Sequence, residues 1–352
     1  MKDREQFPLR TSTMTDLHGI LLVDKPGRPI SHTYADEPVS AKLPTSHDIV
    51  QRVRRWSRQR RIGHTGTLDP MASGLLVLCL GVATRLVEYY QGHDKTYEAR
   101  VTLGRATDTY DAVGRTVAQA PVPYLTGADV EAALVAFRGR IDQRPPVYSA
   151  LKQGGESLHR KARRGEVVDV APREVTFHEI ELLTFAAPAT ISLRIRCSAG
   201  AYVRSLAHAL GQALGTAGHL SYLRRLEAGP FSVADASDLP AIESAAAAGG
   251  LADLLLAPDA GLGMPRLTVS EEEQLRLGYG QKICQRRAFP AQDTPLSNSH
   301  SSGGGHRDGL AAAYDRRGRF LGIARARAVD GKGDGTVWKA EKWLAQQLSS
   351  LS

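Results

Sequence analysis

Arg61-Ile62-Gly63-His64-Thr65-Gly66-Thr67-Leu68-Asp69-Pro70-Met71-Ala72-Ser73-Gly74 is the stretch on which the reading turns. Gly63, Gly66, Gly74 and Pro70 force an irregular backbone just ahead of the apolar run Gly74–Gly81, which reads as a buried strand. A loop of that kind can hold Asp69 at the rim of a sheet. Asp-Pro by itself signals only a turn, so the weight lies in the whole string.

Upstream, Gly19–Val23 reads as another buried strand, ending at the turn signal Asp24-Lys25-Pro26-Gly27, and residues 1–17 read as a mobile polar leader. Residues 28–44 contain three prolines and no periodicity, and are expected to form an exposed loop. Ser46 can cap a helix whose apolar positions Ile49, Val50, Val53 and Trp56 fall at helical spacing. That spacing turns Arg52, Arg54, Arg55, Arg58, Arg60 and Arg61 towards solvent or a ligand.

Downstream, the pattern predicts a short helix at Ala83–Gln91, a strand at Thr96–Leu103 and a helix at Ala128–Phe137 opened by a Thr126/Asp129 capping box. Strands at Glu174–Phe185 and Thr190–Cys197 then lead to a helix at Tyr202–Leu214. Strands and helices alternate irregularly, which fits an α+β, mixed-sheet core better than a regular parallel series. An alanine-rich helix, Ile242–Leu256, closes a large domain (18–258). A smaller unit (259–352) follows, with a Ser/Gly-rich loop at 290–307 and a β-hairpin formed by Leu310–Tyr314 and Phe320–Ala328.

Lys and Arg outnumber Asp and Glu by 45 to 37, a net charge of +8 that favours a polyanionic partner. The arginines near residues 52–61 and the cluster Arg160, Lys161, Arg163, Arg164 are the places for phosphate contacts; the bland reading is two solvated faces. The three cysteines, Cys79, Cys197 and Cys284, are too far apart for a metal signature and suit a reducing compartment. No secretion signal, transit peptide or membrane-length apolar run is visible, so a cytoplasmic protein is expected. Gly-Lys-Ser/Thr phosphate loops, zinc spacings and a nucleophile elbow around Ser73 are missing, which argues against nucleotide-driven or hydrolytic chemistry.

GHTGTLDPMASGLLVLCLGVATR (Gly63–Arg85) resembles the catalytic motif of the TruB family of tRNA pseudouridine-55 synthases. LLVDKP (Leu21–Pro26) with TSHD (Thr45–Asp48), KTYEARVTLGRATDTYDAVG (Lys95–Gly114), RPPVYSALK (Arg144–Lys152) and CSAGAYVRSLAHALG (Cys197–Gly211) resemble its other motifs, in order. The resemblance spans about residues 19–230. It implies a pseudouridine synthase fold, with a mixed, mainly antiparallel sheet flanked by helices and a small PUA-like β-rich C-terminal domain. It also implies that a uridine in the T loop of tRNA is flipped out, cut from its ribose, rotated and rejoined through C5. No cofactor or metal is required, and a monomer is expected.

By the same resemblance Asp69 is the nucleophile, Arg204 its ion-pair partner, and Tyr97 the ring that stacks on the target base and helps remove the C5 proton. His64 fills the space of the flipped nucleotide, Lys25 supports the loop, and Tyr202 and Leu223 line the pocket. Arg54, Arg58, Arg61 and Arg163 are the expected phosphate contacts. The chain departs from the family pattern in three places. Residues 28–44 are an insertion, Ala199 and Ala201 replace Lys and Thr, and Ala209 replaces an acidic residue. A tRNA-binding protein with a vestigial site is the rival reading, and a guide-RNA-dependent relative acting on ribosomal RNA a third.

Overall fold

The computed structural model describes residues 16–27, 43–149, 151–164, 166, 169–285, 309–327 and 335–345, except for the side chains of residues 152, 153, 157, 159, 162 and 163. Most of the leader, most of the 28–44 insertion, the 290–307 loop and the side chain of Arg163 therefore lie outside the described residues.

Strand β1 (Gly19–Lys25) leads to helix α1 (Ser46–Ser57), β2 (Ile62–His64) and β3 (Ser73–Leu80). A 3-10 turn at Gly81–Leu86 precedes α2 (Val87–Gln91) and β4 (Lys95–Leu103), so the helix expected over Ala83–Gln91 is split between two helix types. The hairpin β5 (Arg105–Thr107) and β6 (Thr116–Gln119), helix α3 (Gly127–Val135) and β7 (Gly139–Gln143) come next. A two-residue hairpin, β8 (Lys152–Gln153) and β9 (Glu156–Ser157), runs into α4 (Leu158–Arg163). Then follow β10 (Arg173–Ala186), β11 (Thr190–Cys197), α5 (Val203–Ala213), β12 (Gly218–Ala228) and β13 (Phe231–Ser232). Helix α6 (Leu239–Ala247) and β14 (Leu255–Leu256) end this part of the chain.

The main sheet has the order β14-β1-β3-β12-β4-β11-β10-β7, with β2 beside β3 and β13 beside β12. Among the described residues its only parallel pair of strands is β3 with β12, through Ser73↔Arg224 and Arg225↔Gly74; the other strand pairs are antiparallel. The mixed, mainly antiparallel sheet expected from the sequence is thus present, and β3 brings the end of the Asp69 loop to its centre.

β1 and β3 are apolar without alternation because both faces are covered. On one face Leu21, Val23, Leu76 and Leu78 pack with Ile49, Val53, Leu206 and Leu210 of α1 and α5. On the other, Ile20, Leu22, Leu75 and Val77 pack with Leu310, Ala312, Ile323 and Leu344 from the C-terminal part of the chain.

That part is β-rich. It comprises β15 (Arg266–Thr268), α7 (Glu271–Gly278), β16 (Ile283–Gln285), β17 (Leu310–Tyr314), β18 (Phe320–Arg327) and β19 (Thr336–Trp343), in the sheet order β15-β17-β18-β19-β16. The hairpin read from the sequence is β17–β18.

Two local expectations need correction. The cap of α1 is Thr45, not Ser46: its side chain accepts from the Asp48 N–H, while the Asp48 carboxylate accepts from the Thr45 N–H at 2.9 Å. Ser46 is instead the first helical residue, buried, and its hydroxyl is used elsewhere. The alanine-rich segment is not one helix over Ile242–Leu256. Asp238 caps α6, Gly249 takes a left-handed turn at φ +79°, and Leu255–Leu256 pair with β1 at the sheet edge.

Candidate active site

The loop from Thr65 to Ala72 is held from three sides. From α1, Ser46 Oγ donates to the Leu68 carbonyl at 3.0 Å and accepts from the Leu68 N–H at 2.8 Å. From the end of β1, the fully buried Lys25 ammonium donates to the carbonyls of Pro70 (3.0 Å) and Ala72 (2.7 Å), and to that of Pro26 (3.0 Å). From β12, Arg225, 2% exposed, donates through Nε to Leu75 (2.6 Å) and through Nη2 to Gly66 (3.0 Å). Buried cations satisfied by carbonyls fix a loop tightly, because losing the contact strands a charge in a dry interior.

Asp69 sits on this loop, partly exposed, and meets Arg204 of α5, whose side chain is 5% exposed. Arg204 Nη2 donates to Asp69 Oδ1 at 3.1 Å, and Nε lies 2.9 Å from Oδ2, an ionic contact rather than a well-aligned hydrogen bond. The other edge of the guanidinium is also occupied. Nη1 donates to the Thr109 carbonyl and Nη2 to that of Tyr148, both at 3.0 Å, and Asp111 Oδ2 lies 3.6 Å from Nη1. One cation thus stands between two carboxylates. Burial pushes the Asp111 carboxyl above its ordinary range, with Arg204 opposing.

Tyr97 lies in β4 opposite Arg225, with Ala99 opposite Leu223, which puts Tyr97 and Leu223 on one face of adjacent strands. Burial raises the Tyr97 hydroxyl to about 12, while the nearby Arg225 guanidinium, hydrogen-bonded to it, pulls the other way. Lys25 is lowered to about 8, chiefly by burial, with Asp69 opposing and Arg225 adding to the shift. His64, in β2, is also lowered by burial, with Arg225 and His47 adding, so its ring is neutral at pH 7. Tyr202 is the N-cap residue of α5. Its N–H donates to Gln143 Oε1 at 2.8 Å and its carbonyl accepts from Gln143 Nε2 at 3.0 Å, while burial raises its phenol and a bond to Ser149 opposes this.

The structure therefore brings Asp69 into contact with Arg204 and ties Lys25 to the same loop, with Tyr97 and Leu223 side by side across β4 and β12. The arginine face of α1 stands apart from this cluster. Arg55, Arg58 and Arg60 border an open depression of about 640 Å³ together with Gln51, Arg54 and Gln59. Arg58 and Arg61 are exposed, whereas Arg54 is half-buried and donates to the Ile62 carbonyl at 2.9 Å. Of the second basic cluster, Arg164 is paired with Glu156 and Glu166 and is not free for a phosphate.

Sequence reading passed over Ser46 as a loop anchor, and also Asp111 and Arg225. Arg225 had a signal: it is two residues from Leu223 on the same strand, a charge facing inward. Asp111 lies within the stretch Lys95–Gly114, but nothing local separates it from Asp108. Among the described residues no group of His, Cys, Asp and Glu could hold a metal ion, and no helix is long and apolar enough to cross a membrane.

Comparison with known proteins gives two matching family models. Residues 54–203 match the TruB family pseudouridylate synthase N-terminal domain, and residues 204–261 the tRNA pseudouridylate synthase B C-terminal domain. The chain is 44% identical over 276 residues to the tRNA pseudouridine synthase B of Xanthomonas euvesicatoria pv. vesicatoria, covering 78% of this chain and 84% of that one. It is 46% identical over 239 residues to the protein of the same name from Symbiobacterium thermophilum, covering 67% and 78%. Among solved structures, a chain of a Cbf5-Nop10-Gar1 complex superposes with a TM-score of 0.65 at 21% identity, covering 93% of this chain and 85% of that one. A chain of an H/ACA RNP bound to a substrate RNA containing 2′-deoxyuridine gives 0.63 at 20%, covering 93% and 84%. The last two show a shared fold.

Proposed function

The chain belongs to the TruB family of pseudouridylate synthases, and from that membership we propose that it converts uridine 55 in the T arm of tRNA to pseudouridine with Asp69 as nucleophile. The observation that carries this reading is the two-point contact between Arg204 and Asp69 on a loop pinned from three elements. A guanidinium fork fixes both carboxylate oxygens in place and aims them, as a nucleophile requires.

In the proposed reaction the glycosidic bond to N1 breaks, the base turns within the pocket, and a bond from C1′ to C5 forms. The C5 proton leaves and N1 gains one, so the product is an isomer. Covalent attack by Asp69 divides this into two easier steps. Tyr97 stacks on the everted ring and its hydroxyl passes on the C5 proton. Tyr202 and Leu223 line the pocket, and His64, neutral, occupies the gap left by the flipped nucleotide and offsets part of the unstacking cost. Arg54, Arg58, Arg61 and Arg163 contact phosphates, which position RNA without reading its sequence. Residues 18–258 form the catalytic domain and 259–352 a smaller PUA-like one that touches the acceptor side of tRNA. The proposed enzyme works as a cytoplasmic monomer without a cofactor.

The test is mass-spectrometric mapping of pseudouridine in a T-arm transcript treated with wild-type protein and with Asp69→Asn. Modification at position 55 that vanishes in the variant while RNA binding persists supports the reading. Wild-type protein that binds the transcript and leaves it unmodified replaces it with the binding-only alternative.

A further inference from the structure

Tyr110 has a left-handed backbone, with φ +63°. A bulky L residue is strained there unless its surroundings hold it. Its ring lies flat on the imidazole of His208, with centroids 4.1 Å apart and planes within 9° of parallel. Burial lowers the His208 pKa, with a backbone hydrogen bond to Gly218 opposing, so the imidazole is neutral at pH 7 and the contact is ring on ring.

The position of this stack matters. His208 lies one turn beyond Arg204 on α5, on the same side of the helix. On either side of Tyr110 the chain supplies two of the acceptors that face Arg204, the Thr109 carbonyl at 3.0 Å and Asp111 Oδ2 at 3.6 Å. The loop is tied internally, Thr109 Oγ1 donating to Asp111 Oδ1 at 2.6 Å and Thr107 Oγ1 to the Asp111 carbonyl at 2.7 Å. It is also tied to β12, where the Tyr110 carbonyl accepts from the Leu220 N–H at 2.9 Å. The ring stack on His208 is a further tie to α5, one turn beyond the contacts that Thr109 and Asp111 make with Arg204.

We propose that Tyr110 and His208 are positioning residues for the reaction: their stack locks residues 107–111 onto the helix that carries Arg204, so that the guanidinium is set in register with Asp69. This rests on the reading of Asp69 and Arg204 as the catalytic pair. Loss of the stack frees Tyr110 to leave the left-handed region, the Thr109 carbonyl turns away, and Arg204 loses an acceptor on the edge opposite Asp69. Phosphate contacts elsewhere are untouched, so chemistry slows while RNA binding stays.

The test compares single-turnover pseudouridine formation and tRNA Kd for wild-type protein, Asp69→Asn, Tyr110→Ala, His208→Ala, their double variant and Tyr110→Phe. Each alanine variant is expected to slow the chemical step by about ten- to hundred-fold, the scale of a small misplacement of reacting groups. Its Kd stays within about two-fold, and the double variant is no slower than the slower single. Tyr110→Phe, which keeps the stack, regains the rate.

Alanine variants with wild-type rates, or a Tyr110→Phe as slow as Tyr110→Ala, overturn the proposal, as does a loss of tRNA binding that matches the loss of rate. If His208→Ala does not fold, Tyr110→Gly decides, since glycine accepts the left-handed backbone and removes only the ring. An independent readout is the Arg204 Nη1–H in ¹⁵N NMR, which donates to the Thr109 carbonyl and is expected to exchange slowly in wild type and fast in Tyr110→Ala. It separates the two ideas: inactive wild-type protein with this change sinks the catalytic reading and leaves the positioning intact, and an unchanged signal sinks the positioning alone.

Discussion

Arg225 reaches from β12 to the carbonyl of Gly66, 3.0 Å away, and so ties the loop bearing Asp69 to the centre of the main sheet. Its Nε is committed to Leu75, the second residue of the apolar run on β3, and its guanidinium also bonds the Tyr97 hydroxyl. One side chain thus couples two groups proposed for catalysis to the strand between them.

Arg225→Gln leaves buried carbonyls short of a donor and is expected to cost about 1–3 kcal/mol, the usual penalty for stranded polar groups. Urea unfolding measures this. Single-turnover rates should fall more in Arg225→Gln than in Arg225→Lys, which keeps the charge beside Tyr97.

Arg204→Leu removes the one cation between Asp69 and Asp111. Stranding buried charge in this way is expected to cost about 3–5 kcal/mol and to abolish product formation. The Asp111 carboxyl is already pushed upward by burial, with Arg204 as the opposing influence, so the variant raises it further. A carboxyl raised in the folded state binds a proton more readily there than in the unfolded chain, and stability rises as pH falls through the folded pKa. The deficit of Arg204→Leu in urea should therefore shrink as the pH falls from 7 towards the ordinary carboxylate range.

Lys25 is lowered from 10.5 to about 8 in the folded protein. The unfolded chain then holds more protons between those values, so wild-type stability should rise with pH across that window. The upper limit is about 3 kcal/mol at 1.36 kcal/mol per unit, reduced by the three carbonyls that solvate the ammonium. Lys25→Met should lose this rise, which denaturant midpoints at pH 7.5 and pH 10 would show.

Arg58 and Arg61 are exposed at and just beyond the end of α1. If each neutralises one phosphate, replacing either by alanine should reduce the slope of log K against log salt by about 1 and leave the rate at saturating RNA unchanged. A titration of tRNA binding at several salt concentrations checks it. An unchanged slope assigns that arginine to solvent.

Of the main sheet, β1, β3, β4, β10 and β11 were legible, as was the capping box of α3, because apolar runs and Thr126/Asp129 act locally; β12, at the centre of the sheet, was not read as a strand. The contact of Asp69 with Arg204 and the tie of Lys25 to the same loop were expected through family resemblance, which carries spatial pairings that spacing alone cannot supply: Asp69 and Arg204 are 135 positions apart. What escaped was set by partners distant in sequence. Ser46 has the chemistry of a cap, yet Leu68 claims its hydroxyl and Thr45 caps instead. The alanine-rich segment has helical composition throughout, but the unpaired edge of β1 draws Leu255 and Leu256 into the sheet once Gly249 has broken the helix. Tyr110 drew no reading of its own, because a left-handed backbone at a tyrosine is decided by what its ring lies on.

Ile20, Leu22, Leu75 and Val77 are roofed by Leu310, Ala312, Ile323 and Leu344. Deleting the chain's last hundred residues would therefore uncover a greasy wall on the back of β1 and β3 rather than detach an accessory handle. A shortened protein that clumps or fails to capture tRNA would report that exposed wall, and only point changes on the outer surface of the small sheet can say whether it grips RNA.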